Sequence, residues 1–204
     1  MNAEAKIFRA FHELNQPKLY FSQLKDHTKL SNSSLQNVLQ HLEKGDILRK
    51  EETKANTFFS IKDARITALR FAEQDIERFN GLNRMVRLPL LDFIKKLPPQ
   101  VFTVILFGSA ARKTEGKSSD IDLLVILHKY QDLKLQEAYD HEVGKAVEQA
   151  KKDAGATTIH AFSIVFATIE NYKKKDDHLL EQARTTGFPI INQQTYYEAM
   201  QNKY

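Results

Sequence analysis

The sequence predicts an α+β fold, with helices and a hairpin in its N-terminal half and a sheet flanked by helices in its C-terminal half. Apolar residues recur at helical spacing through the first hundred residues, which favours amphipathic helices. Two uninterrupted apolar runs, Val101–Phe107 and Ile121–Leu127, are typical of buried strands. The helical half therefore precedes the half that contains the main sheet.

The composition is that of a soluble folded protein. A chain of 204 residues is long enough for one or two domains. It contains no cysteine, which excludes disulfides and thiolate metal sites. No apolar run approaches the roughly 20 residues that a membrane helix needs, and residues 1–10 lack a hydrophobic export core. We therefore expect a cytoplasmic protein with no membrane partner.

Charge is distributed unevenly along the chain. Residues 1–100 carry 17 basic against 12 acidic side chains, whereas residues 101–204 carry 13 against 14. A basic excess confined to the N-terminal half is compatible with a nucleic-acid-binding unit there. It is equally compatible with an ordinary solvated surface.

The first 61 residues predict three helices followed by a hairpin. Helical spacing places the helices at residues 3–14, at 21–26 and, after a turn at 30–33, up to Lys44. Gly45 is a natural C′ residue to end the third helix. Strand-like runs follow at residues 47–51 and 57–61, with the hairpin tip at 52–56. This order resembles the winged-helix family of DNA-binding domains, a variant of the helix-turn-helix.

The resemblance implies that the third helix contacts double-stranded DNA. Gln and Asn side chains can bind adenine edges, and Lys suits phosphate or guanine. The candidate DNA-binding residues are the outward side chains of this helix and one lysine at the hairpin tip: Ser34, Gln36, Asn37, Gln40, Lys44 and Lys54. Two alternatives stay open, because any amphipathic helix has a polar outer face and winged helices also bind proteins.

A helical connector is predicted at residues 64–97, broken near Asn80 and Gly81, with Pro89 starting or kinking a turn. It either packs the two domains together or forms a homodimer interface. Successive prolines at 98 and 99 cannot continue a helix and mark the clearest boundary. The predicted domains are therefore 1–63, the connector 64–97, and 98–204.

The most informative motif joins the two buried strands. Phe107-Gly108-Ser109 is followed, after ten residues, by Asp120-Ile121-Asp122. Side chains alternate along a strand, so both aspartates are expected on one face, where their repulsion calls for a cation. Mg²⁺ binds through one or two carboxylates plus substrate phosphates. Free backbone N–H groups after the first strand suit phosphate oxygens.

A turn residue explains Asp120 without any function, since turns favour Asp. It does not explain Asp122, which lies inside an otherwise apolar strand. A charge in such a strand should be paired or bound to a metal. Asp122 is therefore the stronger indication of a metal site.

This motif, with Ser119 before the first aspartate and Arg112 after the glycine, resembles the minimal nucleotidyltransferases of the DNA polymerase β-like superfamily. The resemblance implies a mixed sheet and transfer of a nucleoside monophosphate from a nucleoside triphosphate to a hydroxyl. It implies nucleotide binding by Gly108, Ser109 and Arg112. It also implies that Asp120 and Asp122 are the catalytic residues and that they hold Mg²⁺ or Mn²⁺. The acceptor in such families is often a toxin partner protein, which makes the chain antitoxin-like.

The third predicted strand departs from the family pattern. Active members usually add a third carboxylate there, but residues 157–166 contain no Asp or Glu, and His160 is their only ionisable group. A transcriptional regulator that uses the fold as a ligand sensor is therefore the alternative to an enzyme. An enzyme acting on RNA or on a small-molecule hydroxyl is a third interpretation. Further helices are expected at 133–152, 172–186 and 196–204, with an edge strand at 188–191.

Overall fold

The computed structural model describes residues 3–54, 56–128, 136–156, 158–174 and 177–200. They form ten helices and seven strands within those ranges, in this order: α1 (Ala3–Leu14), β1 (Leu19–Tyr20), α2 (Phe21–Thr28), α3 (Asn32–Lys44), β2 (Leu48–Glu52), β3 (Thr57–Ile61), α4 (Ala64–Asn80), α5 (Arg84–Lys95), β4 (Val101–Phe107), α6 (Gly108–Arg112), β5 (Ile121–Leu127), α7 (Gln136–Gly155), β6 (Phe162–Thr168), α8 (Ile169–Lys173), α9 (His178–Thr186), β7 (Phe188–Pro189) and α10 (Gln193–Met200).

The chain divides into two compact units. One runs to Gln74 and includes the chain from Gln193 onward, and the other is Asp75–Asn192. The division falls inside α4. None of the described helices is long and apolar enough to cross a membrane.

The N-terminal unit packs α1, α2 and α3 with an antiparallel sheet of order β1-β3-β2. Buried side chains on one face of each helix form its core, among them Phe8, Leu24 and Leu39. The Ser31 hydroxyl accepts a hydrogen bond from the Ser34 backbone N–H at 3.2 Å, which caps α3.

Most predicted N-terminal elements are present, with two differences. β1 was not predicted, because two residues carry no periodicity and their pairing with β3 is non-local. α3 does end at Lys44, but Gly45 has φ −77° and Asp46 adopts the left-handed conformation at φ 59°. The expected C′ glycine is therefore not the residue that reverses the chain.

The second unit is built on a mixed sheet of order β6-β5-β4-β7. β4 is antiparallel to β5 and β7, whereas β5 and β6 are parallel. β4 is buried along its whole length, and β5 is buried except at Asp122. A partly exposed aspartate in an otherwise buried strand indicates a candidate functional position.

Three C-terminal predictions were wrong in detail. The third strand begins at Phe162, five residues later than the predicted start, which itself lies outside the described residues. The predicted helix 172–186 is two helices, because Asp177 caps α9 by accepting from the Leu179 and Leu180 N–H groups. In the predicted connector, Pro89 lies inside α5, so the first of its two alternatives, the start of a turn, was wrong. The predicted helix starting at 133 and the tail at 201–204 extend beyond the described residues.

Candidate functional site

The candidate site lies where β4 gives way to α6 and where β5 begins. Phe107, the last residue of β4, pairs with Asp122 in the antiparallel ladder. This register brings the residues that follow β4 beside the Asp122 side chain. Two stretches separated by ten residues in the sequence therefore meet at one sheet edge.

Gly108 lies directly against the Asp122 carboxylate. Its φ of +70° is a conformation that side-chain-bearing residues rarely adopt. A Cβ at this position would overlap Asp122 Oδ2, far inside van der Waals contact. Only glycine lets the backbone approach the carboxylate this closely, which explains the residue type on geometry alone.

Asp122 is half-buried, and its pKa is raised from the ordinary 3.8. Burial is the main cause, and the negative charge of Asp120 is the second. A hydrogen bond with Ser163 and the positive charge of Arg112 act in the opposite direction without cancelling the rise. The site thus holds two carboxylates that repel each other and are only partly compensated.

Asp120 is exposed and immediately precedes β5, whose bounds are those predicted. Its charge contributes to the raised pKa of Asp122, which places the two carboxylates close to each other.

The remaining residues of the motif surround this pair. Ser109 is half-buried, and its hydroxyl has no hydrogen-bond partner among the described side chains and backbone groups. Arg112, the last residue of α6, is exposed and acts on Asp122 through its charge. The Lys113 side chain, in contrast, extends towards Gly81, which lies in the turn between α4 and α5. Its Nζ is 2.9 Å from the position that a Cβ of Gly81 would occupy.

The strand next to Asp122 offers no third carboxylate. Ser163 is the register partner of Asp122 in the parallel β5–β6 pair, and its side chain hydrogen-bonds to that carboxylate. Across the described part of the chain, no group of three or more His, Cys, Asp or Glu residues is placed to hold a metal. His160 precedes β6, is buried, and points Nδ1 at the Ser119 carbonyl oxygen.

The candidate DNA-binding residues lie along α3 and at the hairpin tip. Five of the six are exposed, and Ser34 is half-buried. Gln36 and Gln40 line a groove of about 550 Å³ together with Tyr20 and Asn56, which sequence reasoning did not select. The sequence could not predict that Tyr20 and Asn56 line this groove, because they are distant from α3 in the sequence and lie near it only in the folded unit.

The comparisons with known proteins agree with this geometry. Residues 89–179 match the family model described as nucleotidyltransferase domain. The match covers less than half of the chain but contains the whole motif from Gly108 to Asp122. It supports the predicted resemblance for the second unit and a nucleotidyltransferase-like function. None of the curated proteins compared with the chain matches it.

Proposed function

We propose that this chain is a DNA-binding, nucleotidyltransferase-like protein whose second unit binds a nucleoside triphosphate together with Mg²⁺ or Mn²⁺. The observation that carries the proposal is the contact of the Gly108 backbone with the Asp122 carboxylate, beside the second charge of Asp120. A glycine main chain that approaches the carboxylate closely and a pair of carboxylates suited to a cation then meet at one point.

Asp120 and Asp122 would hold the metal. Their donors are carboxylate oxygens, the kind that Mg²⁺ and Mn²⁺ favour. A cation would offset the burial and the repulsion from Asp120 that together raise the pKa of Asp122. When bound, such an ion neutralises phosphate charge and lowers the pKa of a coordinated oxygen.

The chain's own groups bind the nucleotide. Ser109 offers a hydroxyl without an intramolecular partner in the described structure, and the exposed Arg112 offers a cation for phosphate. The proposed acceptor is a hydroxyl, with a partner protein as one candidate.

A non-catalytic regulator is the second candidate function, favoured by Ser163. This residue stands beside Asp122 in the neighbouring strand and offers a hydroxyl where a carboxylate would add a third acidic ligand. A hydroxyl neither brings a negative charge to a metal nor accepts a proton at neutral pH. Binding without transfer is the consequence.

A label-transfer experiment separates the two candidates. The wild type is incubated with each labelled nucleoside triphosphate, Mn²⁺ and candidate acceptors, and Ser163→Asp is run in parallel. The enzyme is supported by transfer from the wild type. The regulator is supported by metal-dependent binding without transfer in the wild type, with transfer appearing in Ser163→Asp. Absence of metal-dependent nucleotide binding contradicts both.

We propose in addition that the N-terminal unit is a winged helix-turn-helix that binds duplex DNA through α3. Support comes from the order α1, α2, α3, β2, β3 and from exposed amides on α3. Asn37→Ala and Gln40→Ala should weaken binding to a selected duplex, whereas Asn80→Ala, at the end of α4, should not. Equal affinity for selected and random duplexes would argue for a protein-binding unit instead.

A further inference from the structure

A chain of hydrogen bonds joins α5 to the loop that carries Asp120. Pro89 has no N–H, so the carbonyl of Met85, four residues earlier, loses its helical partner. The Thr158 hydroxyl donates to that carbonyl oxygen at 3.4 Å. The same hydroxyl oxygen accepts from the His160 backbone N–H at 3.0 Å. The segment before β6 is thereby tied to α5.

His160 continues this chain towards the acidic pair. Its side chain is only 6% exposed, and Nδ1 lies 2.8 Å from the Ser119 carbonyl oxygen. A carbonyl only accepts, so Nδ1 carries the proton and donates it. Ser119 immediately precedes Asp120.

The other neighbour of Asp120 is held from the same segment. The Ile121 N–H donates to the Ala161 carbonyl oxygen at 2.8 Å. Asp120 is thus fixed on both sides by consecutive residues, His160 and Ala161. Its repulsion from Asp122 favours a loop position farther away, and these two bonds oppose that movement.

We propose that His160 is a positioning residue that keeps Asp120 beside Asp122 for metal binding. The inference rests on the proposed function, because it presupposes that the pair holds a cation. His160 touches neither metal nor nucleotide and acts through the Ser119 carbonyl. Groups that orient metal ligands in this way typically change metal affinity by about 10–100-fold when they are replaced.

Two amide substitutions test this role with matched polarity. In His160→Asn the side-chain N–H₂ group falls near the place of Nδ1, whereas in His160→Gln it falls near Nε2. Mn²⁺ alone is titrated into each full-length variant, and free Mn²⁺ is followed by electron paramagnetic resonance. Asp122→Asn defines the portion of Mn²⁺ binding that belongs to the pair.

We expect His160→Asn to keep the wild-type Mn²⁺ affinity within a few-fold and His160→Gln to lose about tenfold or more, at similar melting temperatures. Thr158→Val, which leaves the ring in place, should give a smaller loss and serves if His160→Gln does not fold. Equal affinities across the variants overturn the positioning role alone. A wild type without site-specific Mn²⁺ binding overturns the positioning role, and the proposed function falls with it if metal-dependent nucleotide binding is absent as well.

Discussion

The sheet of the N-terminal unit and the candidate site of the second unit treat their charges in opposite ways. In the N-terminal unit, lysines of the sheet region are paired with carboxylates, as in Lys18 with Glu51 and Lys50 with Glu52. In the second unit, Asp122 is held beside Asp120 although burial and the charge of Asp120 both raise the pKa of Asp122. Exposed pairs are ordinary surface chemistry with little effect on stability. Adjacent like charges cost stability, which indicates that they serve binding.

The comparison also bears on the proposed DNA binding. Lys50 and Lys62 are engaged by carboxylates of their own unit. Lys44 and Lys54 have no such partner among the described residues. In the proposed DNA complex, each phosphate that a lysine neutralises would contribute about −0.9 to the slope of log affinity against log salt.

The largest expected effect is that of Gly108→Ala. The new Cβ collides with Asp122 Oδ2, and a non-glycine residue at φ +70° is strained. We expect a loss of about 1–3 kcal/mol in the free energy of unfolding and no metal-dependent nucleotide binding. Chemical denaturation and equilibrium binding measure the two effects.

Gly144→Ala is the matched control, because a Cβ added there would have no neighbour within 4 Å and the residue occupies a helix interior. It should stabilise the protein by about 0.5–1 kcal/mol and leave binding intact. If Gly108→Ala is as stable as this control and binds nucleotide equally well, the contact between Gly108 and the Asp122 carboxylate is not needed for binding.

Asp122→Asn is the next largest effect. Removing a proposed metal ligand should weaken Mg²⁺-dependent nucleotide binding by at least about a hundredfold, since residues that only orient a ligand typically cost about 10–100-fold. Asp92→Asn, an acidic residue on α5 paired with Lys96, is the control with unchanged affinity. Isothermal titration with and without Mg²⁺ compares them, and equal affinities would remove Asp122 from the metal site.

The raised pKa of Asp122 sets a pH dependence. Protons compete with the metal, so Mg²⁺-dependent affinity should begin to fall at a pH above the ordinary 3.8 as the solution is acidified. The fold favours the protonated carboxyl, so this group's contribution to stability decreases as pH rises from 3.8 through the raised value. Binding isotherms across pH should show the shift in the wild type, and a profile that follows an unperturbed carboxylate would contradict it.

The smallest effect is expected where charges are paired. Lys18→Gln removes one partner of an exposed ion pair and should change the free energy of unfolding by about 0.2–1 kcal/mol at most. Urea denaturation in low and high salt measures it. A larger loss would show that the N-terminal pairs carry structural weight and would weaken the contrast between the units.

The sequence predicted the elements whose signals are local. The apolar runs of β4 and β5 and the stripe of α3 report burial directly, and their bounds agree with the structure. The break before α9 also had a local signal, since Asp177 is a good N-cap residue in front of a helical run.

The features that were missed depend on contacts distant in sequence. The bond from His160 to Ser119 spans 41 residues, and no spacing rule predicts it. The pairing of Ser163 with Asp122 requires the register of two parallel strands. The motif thus selected the candidate residues, whereas folding determines how Asp120, Asp122 and the residues around them are arranged.

The most direct test is a thermal-unfolding comparison of wild type and Asp122→Asn, each with and without Mg²⁺ and nucleoside triphosphate. Without ligand, Asp122→Asn should melt at the higher temperature because it removes one of two repelling charges. With ligand at about 100 times the dissociation constant, binding adds about 2.7 kcal/mol to the wild type alone, and the order should reverse. The same order under both conditions would contradict the account that these charges are held together to bind a cation.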